Sequence, residues 1–214
     1  MSWFVWFGLL ALAPAHFALA ETINWPQYRG AQSDGLAEGT TLPETWSTNQ
    51  NVVWRADLPG WGWSSPVIWG SRIFVTSAVG ERELGKPVIG GYPGGRVHPK
   101  EVHRWMTYCL DFDTGKTLWE REAWKGIPPQ ERHPKNSYAS ETPVTDGERV
   151  YSYFADIGLF CYDVNGGKLW ERKWDSHPMR GGWGTGASPV LHKDRIYVVN
   201  DNEKESFLVA LDKT

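Results

Sequence analysis

Three residues, Gly115-Lys116-Thr117, have the types that close a phosphate-binding loop, in which backbone amides and a lysine hold phosphates and a hydroxyl holds Mg²⁺. Such a loop needs an earlier glycine, and Leu110 stands in its place. It also needs a helix to follow, whereas Leu118-Trp119-Glu120 reads as strand. A second copy, Gly166-Gly167-Lys168-Leu169, has lost the hydroxyl. The spacing therefore predicts hairpin turns with Gly115 and Gly167 in the left-handed conformation, Asp or Asn bonding the turn backbone, and no ATP binding.

Metal and thiol chemistry are also limited by spacing. His98 and His103 fall in "RVHPKEVHR", within an insertion (78–104) rich in Gly90, Gly91, Pro93, Gly94 and Gly95. That composition predicts a solvated loop, whereas a metal site wants close, convergent ligands. His133, His177 and His192 stand alone, so no metal-binding residues are expected. Cys109 and Cys161 occupy matching places in a repeat. Facing sheets lie about 10 Å apart, and a disulfide cannot bridge Cα atoms more than about 7 Å apart. Ala210 fills the third such place, so two free buried thiols are expected.

The repeat that positions these residues has two parts. "WSSPVIWGSRIFVT" from Trp63, "ASETPVTDGERVYS" from Ala139 and "GASPVLHKDRIYVV" from Gly186 share a small residue, Pro-Val, a polar turn and an alternating apolar run. Their prolines are Pro66, Pro143 and Pro189. "YCLDFDTGKTLW" then matches "FCYDVNGGKLW", and "LVALDKT" begins the unit a third time. Trp54, Trp119 and Trp170 take one equivalent place. A period of roughly 50 residues with four strand-sized runs indicates an all-β propeller of four-stranded antiparallel blades. Stacked blades bury each other's apolar faces, and the repeated Trp supplies a large area to bury. Proline suits the start of an innermost strand, whose edge needs no ladder donor.

This gives a domain plan: a lead-in over 21–50, a closing strand over 51–58, blades over 61–124 and 136–174, and an incomplete blade over 183–214. The partial ring then holds about three blades, where propellers usually have about four to eight. An N-terminal fragment of a longer chain is the expectation.

Residues 1–20 read as a cleaved export signal, with an apolar run from Trp3 to Ala13 and a small-x-small pattern ending at Ala20. A bilayer span needs about 20 apolar residues, so the run is too short to cross. The mature chain is expected in the periplasm or outside the cell. With a net charge of −3 and its 22 basic residues scattered, nucleic acid and anionic membranes are poor partners. The 14 Trp and 23 Gly agree with many short strands and tight turns.

"LDFDTGKTLW", Leu110 to Trp119, resembles the pyrroloquinoline-quinone (PQQ) repeat. "HPKNSYASETPVTDGERVYSYFADIGLFCYDVNGGKLW", with "WPQYRG" from Trp25 and "LPETWS" from Leu42, is similar to exported PQQ-repeat propellers of planctomycete-type bacteria. The resemblance covers Trp25 to Thr214 and implies eight blades in a complete ring. It implies two kinds of function. Quinoprotein dehydrogenases bind PQQ, usually with Ca²⁺, and oxidise alcohols or sugars; others, including the outer-membrane assembly lipoprotein, bind proteins without a cofactor. The vicinal Cys-Cys pair of the dehydrogenases and a haem-type Cys-x-x-Cys-His are both absent from this sequence.

PQQ asks for a flat apolar floor, for which Trp61, Trp63 and Trp183 are candidates that packing also explains, and for Arg or Lys at its carboxylates. The segments leading into the inner strands place Trp63, Ser65, Asn136, Ser140, Glu141, Trp183 and Thr185 at the mouth of the central channel. No catalytic residue is assigned. The expected function is an exported, non-catalytic propeller that binds a protein or peptide; the alternative is a PQQ-dependent dehydrogenase with Ca²⁺.

Overall fold

The computed structural model describes residues 24–37, 42–81, 95–98 and 100–214. The expected export signal, its cleavage point near Ala20, and Gly90, Gly91, Pro93 and Gly94 of the insertion lie outside the described residues.

Three antiparallel sheets follow one another along the chain. The first holds β1 (Val67–Trp69), β2 (Arg72–Gly80), β3 (His103–Asp111) and β4 (Thr117–Gly126) in sequential order. The second repeats this with β5 (Val144–Thr145), β6 (Arg149–Phe154), β7 (Gly158–Asp163) and β8 (Lys168–Lys173). The third has β9 (Val190–His192), β10 (Arg195–Asn200) and β11 (Phe207–Asp212). The only helical element among the described residues is a 3₁₀ turn at Arg180–Gly182. These are the blades of a partial β-propeller.

Alternation explains the packing, because successive strand residues face opposite sides. Phe74 of β2 joins Val150, Phe154, Phe160 and Tyr162 of the second sheet in one core. Tyr151, Tyr153, Leu159 and Cys161, on the opposite face of that sheet, join Ile196 and Val198 of β10 in another. The second sheet is therefore apolar on both faces, as a blade with two neighbours requires. The two thiols lie in different cores, and both are free and buried. Burial pushes Cys109 up to about 11 and Cys161 up to about 12.

The repeated Trp has a definite task. Trp54 donates its indole N–H to the carbonyl of Phe112 (2.9 Å), and Trp119 donates to Val164 (3.0 Å). Each ring thus covers the outer hairpin turn of the next sheet. A Cβ on Gly115 would meet the Trp54 ring at 2.4 Å, and one on Gly166 the Trp119 ring at 2.8 Å. Both glycines have positive φ (+70° and +87°), a conformation that other residues adopt at a cost. The left-handed glycine of the second turn is therefore Gly166 and not Gly167. The second turn is one residue shorter, so its Asp163 carboxylate accepts from both Asn165 (2.7 Å) and Gly167 (3.0 Å) amides. In the first turn Asp111 accepts from the amide and hydroxyl of Thr114, which holds its carboxyl below the usual range.

The run 51–58 carries Trp54, whose ring covers the first outer turn. Two further expectations change. His103 is not in a solvated loop; it begins β3, buried at the edge of the Tyr138 ring. His133 is also buried, stacked on Trp183.

Candidate functional site

The segments that precede the inner strands lean on one another in order. The Ser65 amide donates to Thr142 Oγ1 (3.0 Å), and the Thr142 amide donates to Ser188 Oγ (3.0 Å). Each of these residues stands immediately before the proline that opens its strand. Proline holds the residue before it in the extended region, so the hydroxyls meet the same point on each neighbour. The Ala139 carbonyl also accepts from the Trp63 amide (3.0 Å).

Asn136 ties the second such segment to the third. Its amide nitrogen donates to the carbonyls of Trp183 (2.9 Å) and Thr185 (3.1 Å). Its oxygen accepts from the Ser137 amide (2.8 Å) and the Ser140 hydroxyl (2.6 Å). All four of its hydrogen-bonding positions are thus engaged, and Asn136 fixes the shape of the site.

The result is a cleft of 670 Å³ lined by Gln27, Tyr28, Trp63, Asn136, Thr142 and Thr185, with Ser33, Ser140 and residues 186–190. Trp63 is 50% exposed and Tyr28 52% exposed, large aromatic surface left open to a ligand. No charged residue lines it. An adjoining cavity of 450 Å³ shares Asn136 and Thr185 and adds Trp183, His133 and Lys135. The Trp183 ring lies 5.3 Å from that of His133 and nearly parallel to it (15°).

Of the residues expected at the channel mouth, Trp63, Asn136, Ser140 and Thr185 come together in the cleft, and Trp183 in its neighbour. Ser65 does not line the cleft; its backbone amide makes the inter-sheet bond to Thr142. Glu141 lines neither cavity: it is buried, with no hydrogen bond to either carboxylate oxygen. Burial pushes its carboxyl up to about 7, opposed in part by the neighbouring Thr185 hydroxyl and nearby backbone amides. Asp156, also pushed up by burial, to about 6, accepts from the Ser176 hydroxyl (2.8 Å). The sequence reasoning missed Gln27, Tyr28 and Ser33. The aromatic-proline-glycine pattern of "WPQYRG" was the available signal, since it marks a tightly turned, ordered segment.

Of the groups that PQQ asks for, the cleft supplies some, and the adjoining cavity adds a cation in Lys135. Trp63 offers an indole floor, but no residue lining the cleft itself offers a cation for the carboxylates. Arg132 is turned inward, donating to the carbonyls of His133 (3.1 Å) and Asn136 (2.5 Å) with its guanidinium 5.1 Å from the Tyr138 ring centroid. Among the described residues no cluster of three or more His, Cys, Asp or Glu could hold a metal ion. No helix among them is long and apolar enough to cross a membrane.

Comparison with known proteins gives the family. A family model described as outer membrane protein assembly factor BamB, a PQQ-repeat model, matches residues 45–214. The chain belongs to this PQQ-repeat family. No curated protein matches it. Among solved structures it is similar to a europium-containing methanol dehydrogenase, at 17% identity and a TM-score of 0.41, over 72% of this chain and 23% of that one. It is also similar to the computationally designed Ika4 protein, at 12% identity and a TM-score of 0.24, over 60% of this chain and 99% of that one. The chain thus spans about a quarter of the length of the methanol dehydrogenase it matches.

Proposed function

We propose that this chain is part of an exported, non-catalytic propeller, acting in the periplasm or outside the cell, that binds a protein or peptide partner at the channel-mouth cleft. The observation that carries the reading is the make-up of the cleft. It is aromatic, hydroxyl- and amide-lined, uncharged, and held in shape by Asn136 and the Ser65–Thr142–Ser188 ladder. Such a surface suits an uncharged polypeptide better than a carboxylate-bearing quinone, because exposed aromatic rings supply contact area at low entropic cost.

The test is site-directed photo-cross-linking in the full-length protein, with a photoreactive residue replacing Tyr28. The reading expects a discrete adduct with one exported protein that Thr185→Arg, placing a charge in the cleft, abolishes. Lys168→Ala, on the remote outer turn, should leave it intact. An adduct that survives Thr185→Arg and Trp63→Ala would place the partner elsewhere.

A further inference from the structure

An innermost strand is bonded on one side only, so its inner edge presents backbone groups that need partners. Proline removes the first inward donor from each such strand, at Pro66, Pro143 and Pro189. Two residues further on, the inward donors are the amides of Ile68, Thr145 and Leu191, which hold one equivalent position in the three repeats. All three are taken by consecutive residues of one segment. Ile68 donates to the Trp25 carbonyl (2.8 Å) and accepts from the Trp25 amide (2.8 Å). Thr145 donates to the Pro26 carbonyl (2.9 Å). Leu191 donates to Gln27 Oε1 (3.3 Å). Asn24 adds a fourth contact, accepting from the Gly70 amide through Oδ1 (2.9 Å).

We infer that the row Ile68, Thr145 and Leu191 is a peptide-binding site whose ligand is the chain's own Asn24–Gln27. The ligand class is an extended segment that offers successive acceptors with a proline at its centre. Pro26 needs no donor there, since only its carbonyl is used, and it holds Trp25 extended. The segment is anchored behind Gln27 by a tight loop. Gly30 donates to the Gln27 carbonyl (3.0 Å), and at a φ of +82° it lies so close to the Trp25 ring that a Cβ would come within 2.9 Å. Gln27 is itself held, donating through Nε2 to Ser33 Oγ (3.1 Å).

The lead-in is therefore an axial plug across three blades. Through Gln27, Tyr28 and Ser33 it also forms one wall of the cleft. This assignment stands whatever the cleft binds.

Amide hydrogen exchange on the full-length protein tests it. The Ile68, Thr145 and Leu191 amides should be protected although no strand covers them. Gln27→Ala should speed exchange at Leu191 about tenfold, the loss of one hydrogen bond, and leave Ile68 and Thr145 unchanged because they bind backbone carbonyls. A protease site introduced after the exposed Leu36 gives a second readout in folded protein. The cut segment should stay bound and exchange with an added synthetic peptide of residues 24–35. Exchange of all three amides at the rate of exposed ones would overturn the inference. So would release of the cut segment with those amides still protected.

Discussion

Thr107 of β3 donates its hydroxyl to Ser152 of β6 (2.8 Å), both fully buried between the first and second sheets. Between the second and third sheets the equivalent positions are Leu159 and Val198. At the inner end of the first interface Thr76 donates to Ser64 Oγ (2.9 Å). The matching pair in the second interface is Tyr153 and Glu141, and the Glu141 carboxyl has no hydrogen bond. At the outer end Trp119 caps the next turn through its indole N–H. One backbone repeat thus accepts polar or apolar filling at the same positions, and a polar group buried there gains stability from a partner. The first interface supplies such partners at these positions. The second carries the unpaired acid, so its stability depends on pH.

The largest test of the contrast is Trp119→Ala, which should cost about 3–5 kcal/mol in urea unfolding. A loss below about 1 kcal/mol would mean that this ring does not anchor the turn it covers.

Next comes Glu141→Gln. The folded carboxyl titrates at about 7 against an ordinary 4.5, so the folded state holds the proton more tightly. Its stability is full below pH 4.5 and falls as pH rises through 7. The variant should therefore match the parent at pH 4 and exceed it by about 3 kcal/mol at pH 8. Asp156, at about 6 against 3.8, adds a loss of the same sign at lower pH. A variant that gains nothing at pH 8 would move the pH dependence out of this interface.

In the first interface Thr107→Val leaves the Ser152 hydroxyl unpaired and should cost about 1–2 kcal/mol. Adding Ser152→Val should restore most of the loss, since the pair then copies Leu159 and Val198. Additive losses would mean that the hydroxyls do not act as a pair. The smallest effect is expected from Lys116→Ala on the exposed first turn, within about 0.5 kcal/mol. A larger loss would mean that this lysine is more than a solvated turn residue.

The blades were legible because the repeat recurs in sequence: Pro-Val, the polar turn that follows it and the Trp each mark one local structure. The position of the left-handed glycine was not, since a one-residue shortening moves it from the place of Gly167 to Gly166 and only the strand register shows this. His103 looked like part of a Gly- and Pro-rich loop because a strand start carries no signal of its own. Four of the seven channel-mouth candidates share the cleft, since the segments before the prolines must converge. Glu141 is buried and lines neither cavity, and its counterparts Ser64 and Ala187 are small residues that mark a confined space. The acceptors at Trp25 to Gln27 lie far in sequence from Thr145 and Leu191, and no local pattern links them.

The most direct measurement is thermal unfolding of the full-length protein with PQQ and Ca²⁺, paired with dye reduction in the presence of an alcohol. A binding propeller with an uncharged cleft predicts an unchanged Tm and no alcohol-dependent reduction. A raised Tm together with alcohol-dependent reduction would contradict it.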